Sequence, residues 1–523
     1  MSEGVVSAPQ QKASWQMLWQ VLQRPSLAFA FGALSVLAFA PWSYWPIAIA
    51  GIAALYFLVK TSSPKQAFWL GYSFGMGLFA FGIAWVHISI DQFGGLPLPV
   101  SLFLMLLLAA YLSLFPALAC WLTQKFKHHS IAINALLFAA CWCLAESLRG
   151  YLLTGFPWLL LGYSQLDGVL AGWIPVIGIA GVSFFTALGA AVVSSSLTDR
   201  SYYWLLLPTL LAGVGVGLNS VTWTIPKGEP VDVVLVQGNI EQSMRWQPEQ
   251  EWPTMLKYLD LTRPNYDADL IIWPEAAVPA VEPLAQEYLD NLNQVTSHNQ
   301  TTLVSGIVDY NFDTKQFYNT LIVVGEQSKA LHQYRYHNAN RYQKHHLLPI
   351  GEFVPFGDIL RPLAPLFNLP MSSFSRGSYL QENLVANEYL LAPAICYEIA
   401  FAEQLRRNVS NETDFLLTVS NDAWFGDSIG PQQHMEIARA RAMELGRPLL
   451  RATNTGVTAV VDASGHELDR LAMFEADVLR LPVQRVDGMT PFAKVGHVPY
   501  WALVAFGFCL TLILIFRGRK AAD

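Results

Sequence analysis

Five cysteines occur in the 523-residue chain, and four of them, Cys120, Cys141, Cys143 and Cys509, fall inside long apolar runs. There a thiol usually behaves as a small buried hydrophobe. Cys396 stands apart, in YLLAPAICYEIAFAEQ (389–404), which reads as an apolar strand running into a helix. A cysteine at such a junction has the geometry of a nucleophile elbow, in which the thiol is presented outward and the next backbone N–H, that of Tyr397, can face an oxyanion. A buried core cysteine is the competing reading. A second strand also stops at a chemical group: DLIIWPEAAVP (269–279) begins as a buried apolar run, breaks at Pro274 and presents Glu275 on a rigid edge. That is a sound place for a general base, with a solvated loop carboxylate as the plainer alternative. The third group is Lys344 in NRYQKHHLLPIGEFVPFG (340–357), on a loop where a lone lysine is ordinarily a surface residue. Its neighbours His345 and His346 would point to opposite faces of a strand, which argues against a shared metal. Singly, Glu275 and Lys344 say little; beside Cys396 they suggest a base, a cation and a thiol with definite tasks.

The elements that must position these groups are of two kinds. Hydrophobic residues make up 53% of the chain and charged residues only 14%, with a mean hydropathy of +0.33. Soluble domains carry about 25% charged residues, so this is no ordinary cytosolic enzyme, coiled coil or disordered chain. A net charge of −7 and pI of 5.9 exclude the basic stripe of a nucleic-acid binder. The missing charge is localised. Apolar runs at 26–41, 44–59, 66–89, 97–122, 130–148, 169–196 and 202–219 precede a mixed α/β stretch, and an eighth at 498–516 follows it. The expected organisation is a membrane domain over 1–220 with seven transmembrane helices, an extracytoplasmic α/β domain over 221–490, and a final helix with a basic tail over 491–523. One set of alternate loops collects Lys12, Arg24, Lys60, Lys65, Lys125, Lys127, Arg200, Arg517, Arg519 and Lys520. The Lys/Arg bias places that side, with both chain ends, in the cytoplasm and the α/β domain on the opposite face. Asp91, Glu146 and Arg149 lie near span ends, where the expectation is interfacial residues facing headgroups and the α/β domain. The aromatic and Gly-rich segment 152–168 looks built to lie at that interface.

The strand-end Glu in IIWPEAAVP, the Lys in RYQKHHLLPIGEFVPF and the Cys in AICYE occur in the order found in the nitrilase (carbon–nitrogen hydrolase) superfamily, which this part of the chain resembles. LVQGNIEQSMRW (235–246), TVSNDAWFG (418–426) and RPLLRATNTGVTAVVDASG (447–465) extend the resemblance. It implies a four-layer α-β-β-α sandwich, consistent with strands expected at about 231–237, 269–273, 302–308, 320–325, 390–396, 415–420 and 456–462. With about eight transmembrane helices around that sandwich, and with motifs such as LTGFPWLLLGYSQLDG and LRPLAPLFNLPMSSFSRG, the whole chain resembles the membrane-embedded branch of the superfamily, the apolipoprotein N-acyltransferases.

The resemblance implies a ping-pong reaction. Cys396 is the nucleophile that takes an acyl chain from the sn-1 ester of a phospholipid, usually phosphatidylethanolamine, as a thioester. The α-amino group of a diacylglyceryl-cysteine at an apolipoprotein N-terminus then accepts the chain. Glu275 is the general base and Lys344 the cation that stabilises the tetrahedral intermediate. Glu352 in PIGEFVP would hold Lys344 or share the proton, while Trp246, Tyr397 and Glu398 would line or support the site, with plain packing as the alternative for each. No cofactor and no metal is implied, and no nucleic acid; the partners are the two lipid substrates and membrane lipids of the bacterial inner membrane. The apolar, Pro-rich segment 359–374, with Leu366, Phe367 and Met371, is expected to be a mobile lid touching the lipid surface. Two other functions share these motifs. One is a membrane-tethered amidase that gives the acyl group to water; the other is a binding protein on a degenerate fold, which the intact triad disfavours.

Overall fold

The computed structural model describes residues 23–128, 130–325, 334–349, 351–353 and 373–520. Within them, apolar helices come first. Residues 23–35 are helical and are followed by Trp45–Lys60, Pro64–Gly82, Leu98–Lys125, Ile131–Tyr151, Ile174–Thr198 and Leu206–Leu218, with Val498–Lys520 closing the chain. Four helical stretches among the described residues are long and apolar enough to cross a membrane, or five if the bent pair Pro64–Gly82 and Val86–Phe93 is one span. Sequence led to an expectation of eight. The difference has local causes. The 66–89 run breaks after Gly82 with a 58° bend and continues as a π-turn over Ser89–Phe93. Trp45–Lys60 has 16 residues, a rise of about 24 Å, less than a hydrocarbon core of about 30 Å. Tyr202–Leu218 is likewise a shorter apolar helix, whereas the run expected from 169 is one of the four, over Ala171–Thr198, although Gly178 within it sits at a φ of +70°.

The segment from Ile225 to Asp487 forms two principal sheets. In the first, strands Val231–Gln237, Leu270–Ile272 and Thr302–Asn311 run parallel, flanked by antiparallel Asp477–Val483 on one side and by Gln316–Val324 and Arg341–Gln343 on the other. In the second, Tyr389–Ile395, Phe415–Ser420 and Leu449–Thr453 run parallel between the antiparallel edges Leu384–Ala386 and Ala459–Val461, the latter extended by Glu467–Arg470. The central strands are largely apolar and buried on both faces because both faces are covered. Val231, Val233, Leu235, Leu270, Ile272, Phe415, Leu417 and Leu450 fill the space between the sheets. Val234, Val236 and Ile271 face outward, onto a core with Met255, Tyr258, Leu289 and Leu292 from helices Pro248–Thr262 and Gln286–His298. The expected α-β-β-α layering is therefore present on that side.

The fourth layer does double duty. Helix Gly430–Leu445 covers the outer face of the second sheet, yet its residues belong to the same hydrophobic cluster as the membrane helices: Met435, Ala438 and Leu445 join Leu416 and Leu449 on one hand and Phe138, Ile179 and Val182 on the other. Its polar groups meet the bundle too. Glu436 accepts from the Ala40 N–H at 2.9 Å, Glu444 from the Ile179 N–H at 2.7 Å, and the Gln433 carbonyl from the indoles of Trp85 and Trp158.

Glu146 and Arg149 correct a second expectation. Both are buried in the bundle rather than turned to headgroups. The Arg149 guanidinium donates to the carbonyls of Phe156, Trp158 and Leu159, and Glu146 accepts from the Trp142 indole and the Leu161 N–H. This pair tucks the 156–166 segment between bundle and sheet, where Trp158 is almost wholly buried. Arg149→Leu leaves the three carbonyls without their donor, so we expect the variant to lose about 3 kcal/mol or more of stability, read as a lower melting temperature in detergent; an unchanged Tm would refute this account of the loop.

Candidate active site

Three strand ends and one turn converge at the carboxyl edge of the parallel strands, the edge where open α/β sheets bind ligands. After Ile272 the chain passes through Trp273, whose indole donates to Thr262 at 2.9 Å, and Pro274 to Glu275. Gly306 on the neighbouring strand makes this approach possible: a Cβ there would stand 2.3 Å from the Ala276 nitrogen and 2.8 Å from the Glu275 Cα. The Glu275 carboxylate is held by two donors, Asn319 Nδ2 on Oε1 at 2.7 Å and the Asn421 backbone N–H on Oε2 at 2.9 Å. Asn421 follows the strand Phe415–Ser420, so this carboxylate ties the two sheets together.

Lys344 follows strand Arg341–Gln343 and donates its backbone N–H to the Asn319 carbonyl at 2.8 Å. Its ammonium is 1% exposed and lies 2.9 and 2.8 Å from the two Glu352 oxygens and 3.5 Å from Glu275 Oε1. Burial works against its charge, but Glu352 and Glu275 outweigh that and hold the lysine above its ordinary range. Glu352 also accepts from Asn319 at 3.0 Å and from the Leu348 N–H at 2.8 Å, closing its own turn. Asn319 thus bridges both carboxylates, and the sequence reading missed it. Its signal was a polar residue inside the apolar strand QFYNTLIVV.

Cys396 sits at φ +53°, a conformation that costs a non-glycine residue of order 1 kcal/mol and marks the sharp strand-to-helix turn of an elbow. It is half-buried. Burial, then the negative charge of Glu275, push its thiol up to about 12, against the opposing pull of Lys344. The resting group is therefore a thiol, and a nucleophilic role would need an acceptor for its proton.

Beneath the elbow lies a network that sequence reasoning also missed. His434 Nε2 donates to the Cys396 carbonyl at 3.1 Å, while Nδ1 stands 3.0 Å from Arg451 Nη2 and from Asp422 Oδ1. A carbonyl only accepts, so Nε2 carries the hydrogen; burial and the Arg451 charge keep the ring neutral. Burial would raise the Asp422 carboxyl, but the Arg451 guanidinium, 2.8 Å from Oδ2, outweighs it and holds the carboxyl well below the usual carboxylate range. Arg451 is a fully buried arginine in the strand Leu449–Thr453, a strand absent from the sequence expectations.

Glu398 and Tyr397 are brought to the region but turn away from the cleft. Glu398 accepts the backbone N–H groups of His345 (2.8 Å), His346 (3.0 Å) and Ile395 (2.9 Å), with Tyr342 and Gln404 filling its remaining positions. It therefore fixes the chain just after Lys344 against the chain just before Cys396. Tyr397 donates to the Gly155 carbonyl at 2.8 Å and stacks on Trp158. Neither histidine shares a ligand: His345 faces Gly377 O and His346 faces Thr154 O, and among the described residues no cluster of three His, Cys, Asp or Glu side chains could hold a metal. Trp246 lines a cleft with Arg245, Glu275, Asn319, Glu352 and Trp424. Leu366, Phe367 and Met371 lie outside the described residues.

The sandwich is that of a carbon–nitrogen hydrolase, and residues 233–487 match that family. Residues 31–192 match the family described as the apolipoprotein N-acyltransferase N-terminal domain. The chain is 50% identical to the apolipoprotein N-acyltransferase of Shewanella oneidensis over 501 residues, covering 94% of this chain and 96% of that protein. To the one from Vibrio parahaemolyticus it is 48% identical over 496 residues, 94% and 98% of the two chains. Among solved structures, a carbon-nitrogen hydrolase from Helicobacter pylori G27 is 16% identical, covering 48% of this chain and 89% of that one, with a TM-score of 0.35. The chain belongs to the apolipoprotein N-acyltransferase family.

Two outcomes test this geometry. Alkylation of Cys396 in the free enzyme by iodoacetamide, followed by peptide mass, should be slow at pH 8, where about one thiol in ten thousand is ionised, and rise about tenfold per pH unit to pH 10; a plateau near pH 8 would contradict the raised thiol. Gly306→Ala should displace Glu275 and lower turnover by about tenfold or more while the chain still folds.

Proposed function

We propose that this protein transfers an acyl chain from the sn-1 position of a phospholipid, through a thioester on Cys396, to the α-amino group of the N-terminal diacylglyceryl-cysteine of apolipoproteins. Family membership along almost the whole chain supports lipoprotein N-acylation. The observation that carries the residue assignment is the convergence of the Glu275 carboxylate, the buried Lys344 ammonium and the positive-φ thiol of Cys396 at one strand edge. In the first half-reaction Glu275 takes the thiol proton as sulfur attacks the ester carbonyl. Lys344 and the Tyr397 N–H stabilise the oxyanion, and the lysophospholipid leaves with a proton from Glu275. In the second, the acceptor's α-ammonium, with an ordinary pKa near 8, gives a proton to Glu275 and attacks the thioester as the free amine; the C–S bond breaks, Glu275 returns that proton to the departing Cys396 sulfur, and the amide nitrogen releases its remaining extra proton to water. Glu352 keeps Lys344 charged and in place.

The finer reading of the membrane part belongs with this. Eight apolar helical segments support eight spans, with the shorter ones completed by flanking turns. The Lys/Arg-rich loops face the cytoplasm and the sheets the periplasm, so that 1–220, 221–490 and 491–523 are the membrane domain, the catalytic domain and the closing span with its basic tail. Phosphatidylethanolamine is the donor. Transfer to water, as in an amidase, is the reading this excludes.

Intact-mass measurement of the detergent-purified protein tests the reading. Phosphatidylethanolamine should add one acyl group, absent in Cys396→Ala, and a diacylglyceryl-cysteine peptide should clear it with N-acylation. Clearance by water at the same rate without peptide would refute acyl transfer.

A further inference from the structure

Arg245 lines the catalytic cleft and is 6% exposed. It lies in a turn closed by the Gln247 N–H on the Met244 carbonyl, and its guanidinium stands 5.8 Å from the centre of the Trp246 ring. One of its nitrogens donates to the Glu275 backbone carbonyl. A guanidinium has five N–H donors in a planar fork, and among the described residues none of the others has an acceptor and no carboxylate lies within ion-pair distance. The other buried cations differ in having carboxylate partners: Lys344 pairs with Glu352 and Glu275, and Arg451 pairs with Asp422, although its Nη1 has no partner. Arg245 is the only cation among the cleft's described lining residues. A buried charge with unmet donors is expensive unless something anionic arrives to meet it.

We infer that Arg245 is the binding residue for the phosphodiester of the acyl donor, gripping it through its free guanidinium edge while the sn-1 ester lies on Cys396. This rests on the acyl-transfer reading and adds to it a reason why the donor is a phospholipid. A guanidinium fork matches two phosphate oxygens, and the glycerol backbone connects that phosphate to the ester under attack. The inference separates the two half-reactions. The donor carries a phosphate; the diacylglyceryl-cysteine acceptor carries none, so Arg245 acts in acylation and is idle in transfer.

The test follows acyl-enzyme formation by intact mass with two donors in mixed micelles, phosphatidylethanolamine and the phosphate-free 1,2-diacylglycerol. In the wild-type protein the phospholipid should acylate about tenfold faster or more. Arg245→Gln should slow acylation by the phospholipid about 10- to 100-fold and change acylation by diacylglycerol less than about threefold. Transfer from acyl-enzyme prepared with diacylglycerol to the peptide should be equally unaffected. Arg245→Lys, which keeps the charge and loses the fork, should recover part of the phospholipid rate. Equal slowing with both donors would mean that Arg245 only positions Glu275 through its carbonyl and would overturn the inference. Equal rates for both donors in the wild type would overturn it without any variant. Failure of the wild type to be acylated by either donor would instead overturn the acyl-transfer reading itself.

Discussion

A lysine ammonium sealed from water cannot stand alone, and much of the architecture is arranged around that fact. Lys344 is reached by Glu275 from a strand end of one sheet and by Glu352 from the turn that follows the lysine itself, with Asn319 joining the two carboxylates from the strand paired with the lysine's own. Removing one member of such a set leaves a charge buried and unpaired, at a cost of about 3–5 kcal/mol, so the members hold one another in place. Glu398 extends the constraint by pinning the chain after Lys344 to the strand that delivers Cys396. The cluster that would do the chemistry is thus also the joint between the sheets.

The second joint runs between the sheets and the membrane helices. Helix Gly430–Leu445 contributes to a hydrophobic cluster continuous from the second sheet into the bundle. On that helix, His434 supports the Cys396 carbonyl while packing against Trp158, and Trp158 belongs to the segment that Arg149 draws down by its carbonyls. A short series of contacts therefore leads from a buried arginine in a membrane helix to the backbone of the candidate nucleophile. The bundle is part of the framework that sets the elbow, and the catalytic half has no outer face of its own on that side.

Sequence reasoning was effective where local pattern carries the information. The strands at 231–237 and 415–420 end where expected, because uninterrupted β-branched and leucine runs bounded by polar residues leave little choice. Glu275 and Cys396 were legible because each stands where an apolar strand gives way to a turn, whereas Lys344 follows the polar strand Arg341–Gln343 and gained meaning only beside the other two. Asn319, Arg451 and His434 were not, since a polar residue within an apolar strand or helix gains meaning only from a partner far along the chain; Arg451 even concealed its own strand. Arg245 was passed over beside the more conspicuous Trp246. The span count was less legible: hydropathy records composition, whereas the bend after Gly82 and the shortness of Trp45–Lys60 belong to the folded chain.

The raised thiol of Cys396 has a consequence for the enzyme's survival between turnovers. Peroxides and disulfides react with thiolate, and a cysteine that keeps its proton at rest offers them almost none. A lone nucleophilic cysteine would be short-lived in an oxidising compartment if it were permanently ionised. On the proposed acyl-transfer reading, ionisation is deferred until an ester carbonyl lies against the sulfur, so chemical durability and catalytic readiness are separated in time by a single proton.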